Sequence, residues 1–135
     1  MSAVLRVSDI MTNKVITVDA SATVFETVSK MVRSGVGCIV VVEEGAVVGI
    51  VTKGDVLKRG TLKGIDPKST PVKKVMSRKI VTIGKDASVE EASHLMSEKK
   101  VSKLPVLEVG KLIGIITSTD IIRRNQPKKM ARDEI

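Results

Sequence analysis

Apolar residues follow two rhythms along this chain, and the rhythms come in the same order twice. Residues 14–18 and 79–83 are short, β-rich runs. After each stands Thr23 or Ser88 with a glutamate three positions on, the pattern in which hydroxyl and carboxylate cap a helix start reciprocally. Val24, Val28, Met31 and Val32 then fall at three- and four-residue spacing, as do Val89, Ala92, Leu95 and Met96, which predicts one amphipathic helix in each half. Residues 38–42 and 47–51 flank Glu44 and Gly45, while residues 104–107 and 112–116 flank Gly110, so a hairpin follows each helix. Short helices at about 55–59 and 120–124 close each unit as β-α-β-β-α.

The two halves are copies. A shift of 65 positions lays residues 7–60 over 72–125 without a gap, with about 17 of 54 pairs identical. Met11 meets Met76, Glu26 meets Glu91, Gly45 meets Gly110, Gly49 meets Gly114, Thr52 meets Thr117 and Asp55 meets Asp120. The predicted fold class is α/β (α+β): two tandem β-α-β-β-α repeats related by pseudo-twofold symmetry. Within a single module at 1–135, repeat 1 occupies 7–60, a linker 61–71, repeat 2 72–125 and a polar tail 126–135. One such unit cannot cover both faces of its small sheet, so two should pack together.

Composition narrows the chemistry. The chain is 42% hydrophobic, but Phe25 is its one aromatic residue, so the core must be aliphatic. A single cysteine, Cys38, excludes an intrachain disulfide, and no basic-then-apolar leader opens the sequence, which leads to the expectation of a cytoplasmic location. No apolar run approaches the roughly 18 residues that cross a bilayer, so no membrane span is expected. One histidine and one cysteine give no metal cluster, and neither a distinctive acid-base pair nor a phosphate-binding glycine fingerprint is present, so neither catalytic nor metal-ligating residues are assigned. The net charge of +8 lies mostly in the second half, where it favours phosphate-bearing partners of any kind or simply solvates the surface.

The doubled unit opens with VSDIMTNKVITV and closes with GIVTKGDVL, then repeats as VKKVMSRKIVTI and GIITSTDII. In these motifs and their spacing the chain closely resembles the cystathionine β-synthase-type (CBS) domain family over nearly its whole length, as a stand-alone pair. The resemblance implies a non-catalytic regulatory module that needs no cofactor. In the family two clefts bind an adenosine-containing ligand and relay its level to a partner protein, here unidentified. AMP, ADP or ATP is favoured, with S-adenosylmethionine or methylthioadenosine as alternatives. Relatives associate through outward helical faces, so a homodimer is expected, with Val24, Val28, Val89 and Met96 near the packing surfaces.

In the family the aspartate of the closing motif holds the ribose. Carried over by resemblance, one site combines Ile50, Thr52 and Asp55 with Val81, Val101, Ser102 and Leu104, and the other combines Ile115, Thr117 and Asp120 with Ile16, Val36, Gly37 and Ile39. Thr-x-x-Asp is also a plain helix cap worth about 1 kcal/mol, and both readings stand at this level. The repetition of Gly49-Ile50 at Gly114-Ile115 favours the ligand, since a cap requires neither residue. Lys99, Lys100 and Lys103 stand where repeat 1 has Ser34, Gly35 and Cys38, so the Asp55 site should prefer phosphates, unless these lysines merely follow a helix C-terminus. A nucleic-acid-binding protein using Arg123, Arg124, Lys128, Lys129 and Arg132 is the alternative, weakened by the absence of Trp and Tyr. A ligand-free scaffold is a third reading.

Overall fold

Reciprocal caps set both long helices. The computed structural model describes residues 4–124, so the tail from Gln126, with Lys128, Lys129 and Arg132, lies outside the described residues. Thr23 and Ser88 accept from the amides of Glu26 and Glu91 at 3.1 and 2.9 Å, and the two glutamates accept from the cap amides at 2.8 and 2.7 Å. The helices that follow are α2 (Val24–Ser34) and α4 (Val89–Lys99), after a short α1 (Val7–Ile10). Hydrogen bonds from Ser88 hold the Glu91 carboxyl below the usual carboxylate range, so its share of the cap is present above that range and is lost as pH falls through the lowered value.

Each long helix is the crossover of a β-α-β unit. Strands β1 (Thr17–Asp19), β2 (Cys38–Glu43) and β3 (Ala46–Thr52) form one sheet in that order, with β1 parallel to β2 and β2 antiparallel to β3. Strands β4 (Ile83–Gly84), β5 (Lys103–Glu108) and β6 (Lys111–Thr117) form the other, followed by α5 (Ser118–Arg124). Both opening strands are shorter than the β-rich runs foretold. In the first repeat the Val40 amide donates to the Ile16 carbonyl at 3.1 Å. Its counterpart in the second repeat is Pro105, which has no amide hydrogen, so β4 is only two residues long.

The folded units exchange their opening segments. One unit holds residues 14–80 with 109–112; the other holds residues 4–13, 81–108 and 113–124. Residues 72–76, the start of the second sequence repeat, therefore pack on the first, where Val72, Val75 and Met76 join Val18, Val24, Met31, Ile39, Val41 and Val51 in one aliphatic core. Val7 does the same in the other unit, with Ala92, Met96, Leu104, Val106 and Ile116. The arms also pair the outer sheet edges: Ile50 and Ser77 exchange backbone bonds of 3.0 and 2.8 Å, and Thr12 and Ile115 bonds of 2.9 and 3.0 Å. An edge paired in this way offers no template to another chain.

Several expectations change. Val32 is 74% exposed, because the buried side of α2 runs through Val24, Thr27 and Met31; Thr27 is tolerated there because its hydroxyl donates to the Thr23 carbonyl at 2.8 Å. Val24 and Met96 sit inside their own cores, so they cannot also form the outward packing surface expected of them. The helix expected at 55–59 instead starts as α3 (Lys53–Asp55), continues through a π-helical turn at Val56–Gly60 and a 3-10 turn at Thr61–Lys63, and stops at Gly64 with φ of 69°. Residues 61–71 are thus more than a spacer. Ile65 packs on the core, and the carbonyls of Pro67 and Thr70 accept the first amides of α2 at 3.0 and 2.8 Å.

Both hairpins turn through two residues of positive φ, Glu44-Gly45 and Val109-Gly110. Val109, at φ 49° and 96% exposed, is a β-branched residue in a region that disfavours it. Val109→Asn is expected to gain about 1 kcal/mol and raise Tm by several degrees in a thermal unfolding scan.

Candidate functional site

The closing motif is built the same way in both repeats. At the end of β3 the Thr52 backbone is extended, and the Thr52 amide donates to Asp55 Oδ2 at 2.9 Å while Thr52 Oγ1 accepts from the Asp55 amide at 3.1 Å. Thr117 and Asp120 repeat the pair at 2.9 and 3.2 Å. The amide that follows each threonine is also satisfied: Lys53 donates to the Gly37 carbonyl at 3.1 Å and Ser118 to the Ser102 carbonyl at 2.9 Å. The cap is therefore real, and it uses one oxygen of each partly buried carboxylate. Oδ1 of Asp55 and of Asp120 takes no hydrogen bond from the described residues. An ionised carboxylate has about four acceptor positions, so a second set remains on a side chain whose orientation is already fixed.

The other candidates fall into two sets. Ile16, Val36, Gly37, Ile39, Ile50, Thr52 and Asp55 belong to one unit, and Val81, Lys99, Lys100, Val101, Ser102, Leu104, Ile115, Thr117 and Asp120 to the other. Within each unit the structure brings Gly37 to the Thr52 turn and Ser102 to the Thr117 turn. Ile39 and Leu104 are fully buried core residues, and Ile50 and Ile115 are 7% and 8% exposed. Ile16, Val36, Val81 and Val101 are half-buried against their own cores.

The repeated glycines have a packing cause that sequence reasoning missed. A Cβ on Gly49 would overlap the sulfur of Met76, and one on Gly114 would stand 2.6 Å from the sulfur of Met11 and 2.9 Å from the Thr12 carbonyl oxygen. Gly49 and Gly114 make room for the methionine of the exchanged arm, so their repetition is not evidence for a ligand. The signal was in the alignment, where the same two residue types are matched across both repeats.

Two local features distinguish the repeats. Gly35 ends α2 at φ 66°, and Lys100 takes the same left-handed position at the end of α4, with φ 57°. Glycine adopts that conformation freely, whereas lysine pays about 1 kcal/mol or more for it. At the position matching Val40, whose amide donates to the Ile16 carbonyl, the second repeat has Pro105, which cannot donate. Lys99 and Lys100 are exposed, and Lys103 Nζ lies 3.3 Å from Ser102 Oγ. Arg123 and Arg124 are exposed at the end of α5.

Among the described residues, no cluster of His, Cys, Asp and Glu could hold a metal ion, and no helix is long and apolar enough to cross a membrane.

The CBS domain model matches residues 7–61 and 72–126. The chain is 38% identical over 115 residues to the CBS domain-containing protein YhcV of Bacillus subtilis, covering 85% of this chain and 81% of that protein. It superposes on a hexameric CBS-CP12 protein from bloom-forming cyanobacteria with a TM-score of 0.83 and 29% identity, over 97% of this chain and 80% of that one. It also superposes on the CBS domain pair of protein MJ0100, solved in complex with 5′-methylthioadenosine and S-adenosyl-L-methionine, with a TM-score of 0.78 and 27% identity over 90% and 96% of the two chains.

Proposed function

The chain belongs to the CBS domain family, and on that premise we propose that it is a non-catalytic regulatory module, self-associating and cytoplasmic, that binds an adenosine-containing ligand and relays its level to a partner protein. The observation that carries this reading is the twice-built aspartate turn, in which Oδ2 closes the cap and Oδ1 takes no hydrogen bond from the described residues. Ribose hydroxyls are donors suited to that oxygen, and the cap holds it in place before the ligand arrives. The family resemblance supplies the remaining residues of each site, with Ile50, Thr52 and Asp55 joined by Val81, Val101, Ser102 and Leu104, and Ile115, Thr117 and Asp120 by Ile16, Val36, Gly37 and Ile39.

The Asp55 site is the one suited to AMP, ADP or ATP. Its assigned residues include Val81, the match of Ile16; Pro105 stands where Val40 donates its amide to the Ile16 carbonyl and has no amide hydrogen to donate, which would leave the Val81 carbonyl for the exocyclic amine of adenine. Beside them stand Lys99 and Lys100, and the left-handed Lys100 is strain kept where glycine would relieve it. Lys100→Gly is therefore expected to raise the unfolding midpoint while weakening AMP several-fold and leaving adenosine nearly unchanged. Calorimetry with both ligands, beside a thermal scan without ligand, reads the split; equal losses for adenosine and AMP would mean a structural disturbance instead.

The reading as a whole is tested by thermal-shift screening with AMP, ADP, ATP, S-adenosylmethionine, methylthioadenosine and NAD, because stabilisation grows as RT ln(1 + [L]/Kd). A concentration-dependent rise with an adenosyl compound is expected. Binding to nucleic acid that falls steeply with salt and ignores adenosine compounds would favour the alternative partner.

A further inference from the structure

The arms close one edge of each sheet, and the opposite edges are β1 and β4. In the first repeat the Ile16 carbonyl and the Ala20 amide bond to β2, so the Thr17 carbonyl, one residue along from Ile16, faces outward. There it accepts from Lys30 Nζ at 2.6 Å. The match of Lys30 in the second repeat is Leu95, which has no donor. Thr82, the match of Thr17, is exposed, and neither its amide nor its carbonyl is hydrogen-bonded to any described residue. The first edge is closed by its own lysine, and the second is open.

Beside the open edge, Ile83, Ala87 and Leu95 line a groove of about 550 Å³ together with Glu90, Glu91 and His94. The matching groove of the first repeat sets Lys30 and Arg33 against Asp19 and Glu26, whereas no lysine or arginine lines the second. Lys85 is paired with Glu108 at 3.2 Å, Arg6 donates to the Asp86 carbonyl at 2.6 Å, and Glu90 has no ion pair among the described residues. An open strand edge beside an apolar, acidic groove suits an extended segment that carries an apolar side chain between cations. The sequence KKMAR at 128–132 has that pattern, because in an extended chain Lys128, Met130 and Arg132 share one face. Its starting point is close. Helix α5 belongs to the same unit and packs against α4 and α1, and α1 begins at the groove, where the Val7 amide donates to the Ala87 carbonyl at 2.8 Å. The six residues from Asn125 to Met130 can extend to about 20 Å.

We propose that residues 126–132 lie along β4 of their own chain as an added edge strand, with Thr82 as backbone partner, Met130 against Ile83 and Leu95, and Lys128 and Arg132 toward Glu90 and Glu91. Lys30 closes the first sheet from within its repeat, and the basic tail closes the second. Backbone pairing and apolar burial hold the segment, while the exposed ion pairs mainly select it over other sequences.

Limited trypsin digestion read by mass spectrometry, with amide exchange followed by NMR, tests it on the full chain. Cleavage at Lys128, Lys129 and Arg132 is expected to be roughly tenfold slower than in a free peptide of residues 121–135, and exchange of the Thr82 amide roughly tenfold slower than in a chain ending at Arg124. Glu90→Lys should speed tail cleavage several-fold. Leu95→Lys, which gives the second repeat the lysine that closes the first, should bring it to the free-peptide rate. Phe25→Lys, the change in the first repeat that matches Glu90→Lys, should leave it unaltered. Circular dichroism separates release of the tail from loss of folding; Leu95 is half-buried, so Glu90→Lys, at an exposed position, carries the test if Leu95→Lys unfolds. Tail cleavage in the folded parent at the free-peptide rate, or protection untouched by Glu90→Lys, would overturn the proposal. Protection that vanishes on dilution would overturn it in favour of the tail of a second copy, and protection that arises only on adding duplex DNA or RNA would do so in favour of nucleic acid.

Discussion

Gly114→Ala is expected to destabilise the fold by about 2–3 kcal/mol, lowering Tm by roughly 10 °C, because its methyl would stand 2.6 Å from the Met11 sulfur and 2.9 Å from the Thr12 carbonyl oxygen. That carbonyl accepts from no movable side chain; it belongs to the backbone pairing of Thr12 with Ile115 and cannot withdraw without breaking two hydrogen bonds of 2.9 and 3.0 Å. Gly49→Ala meets a softer obstacle, since every close atom belongs to the Met76 side chain. Double-mutant cycles should expose the difference. In a Met76→Ala background Gly49→Ala should cost almost nothing, whereas in a Met11→Ala background Gly114→Ala should still cost about 1 kcal/mol or more from the carbonyl. Denaturant unfolding measures both. If Gly49→Ala and Gly114→Ala leave stability intact but abolish ligand binding, the glycines serve the ligand and the packing account is wrong.

Asp55→Asn is expected to weaken adenosyl-ligand binding roughly tenfold to a hundredfold, the effect of removing a charge-assisted contact worth about 1.5–3 kcal/mol. The side-chain amide keeps an oxygen that can accept from the Thr52 amide, so the cap and the unfolding midpoint should be nearly preserved. Asp55→Ala should lose the affinity and also about 1 kcal/mol of stability with the cap. The same pair of changes at Asp120 should act on the other site. A cap-only role predicts the reverse pattern: Asp55→Ala less stable, and ligand binding unmoved by either substitution.

Much of this was legible in the sequence because the determinants are local. Thr23 with Glu26 and Ser88 with Glu91 name both helix starts to the residue, and Glu44-Gly45 and Gly110 locate both hairpins. What escaped it depends on contacts distant along the chain. Nothing in the 7–13 or 72–76 segments says that each packs on the other repeat, and without that exchange the repetition of Gly49-Ile50 at Gly114-Ile115 pointed to a ligand rather than to the packing of Met76 and Met11. The truncated β4 follows from a single missing amide at Pro105, visible only once its parallel neighbour is known. Periodicity also placed Val32 on the inner face of α2, where Thr27 is buried instead, because a hydroxyl bonded to the Thr23 carbonyl is as easily buried as an apolar group. For the site, the sequence found Thr52, Asp55, Thr117 and Asp120; that the cap spares one oxygen of each carboxylate needed the geometry.

Calorimetric titration of the parent and of the Asp55→Asn/Asp120→Asn variant with AMP and with S-adenosylmethionine tests the central claim most directly. The account predicts saturable binding of an adenosyl ligand by the parent, weakened at least tenfold in the variant while its unfolding midpoint stays within a few degrees. No saturable heat with either ligand on the folded parent, or equal affinity in parent and variant, would contradict it.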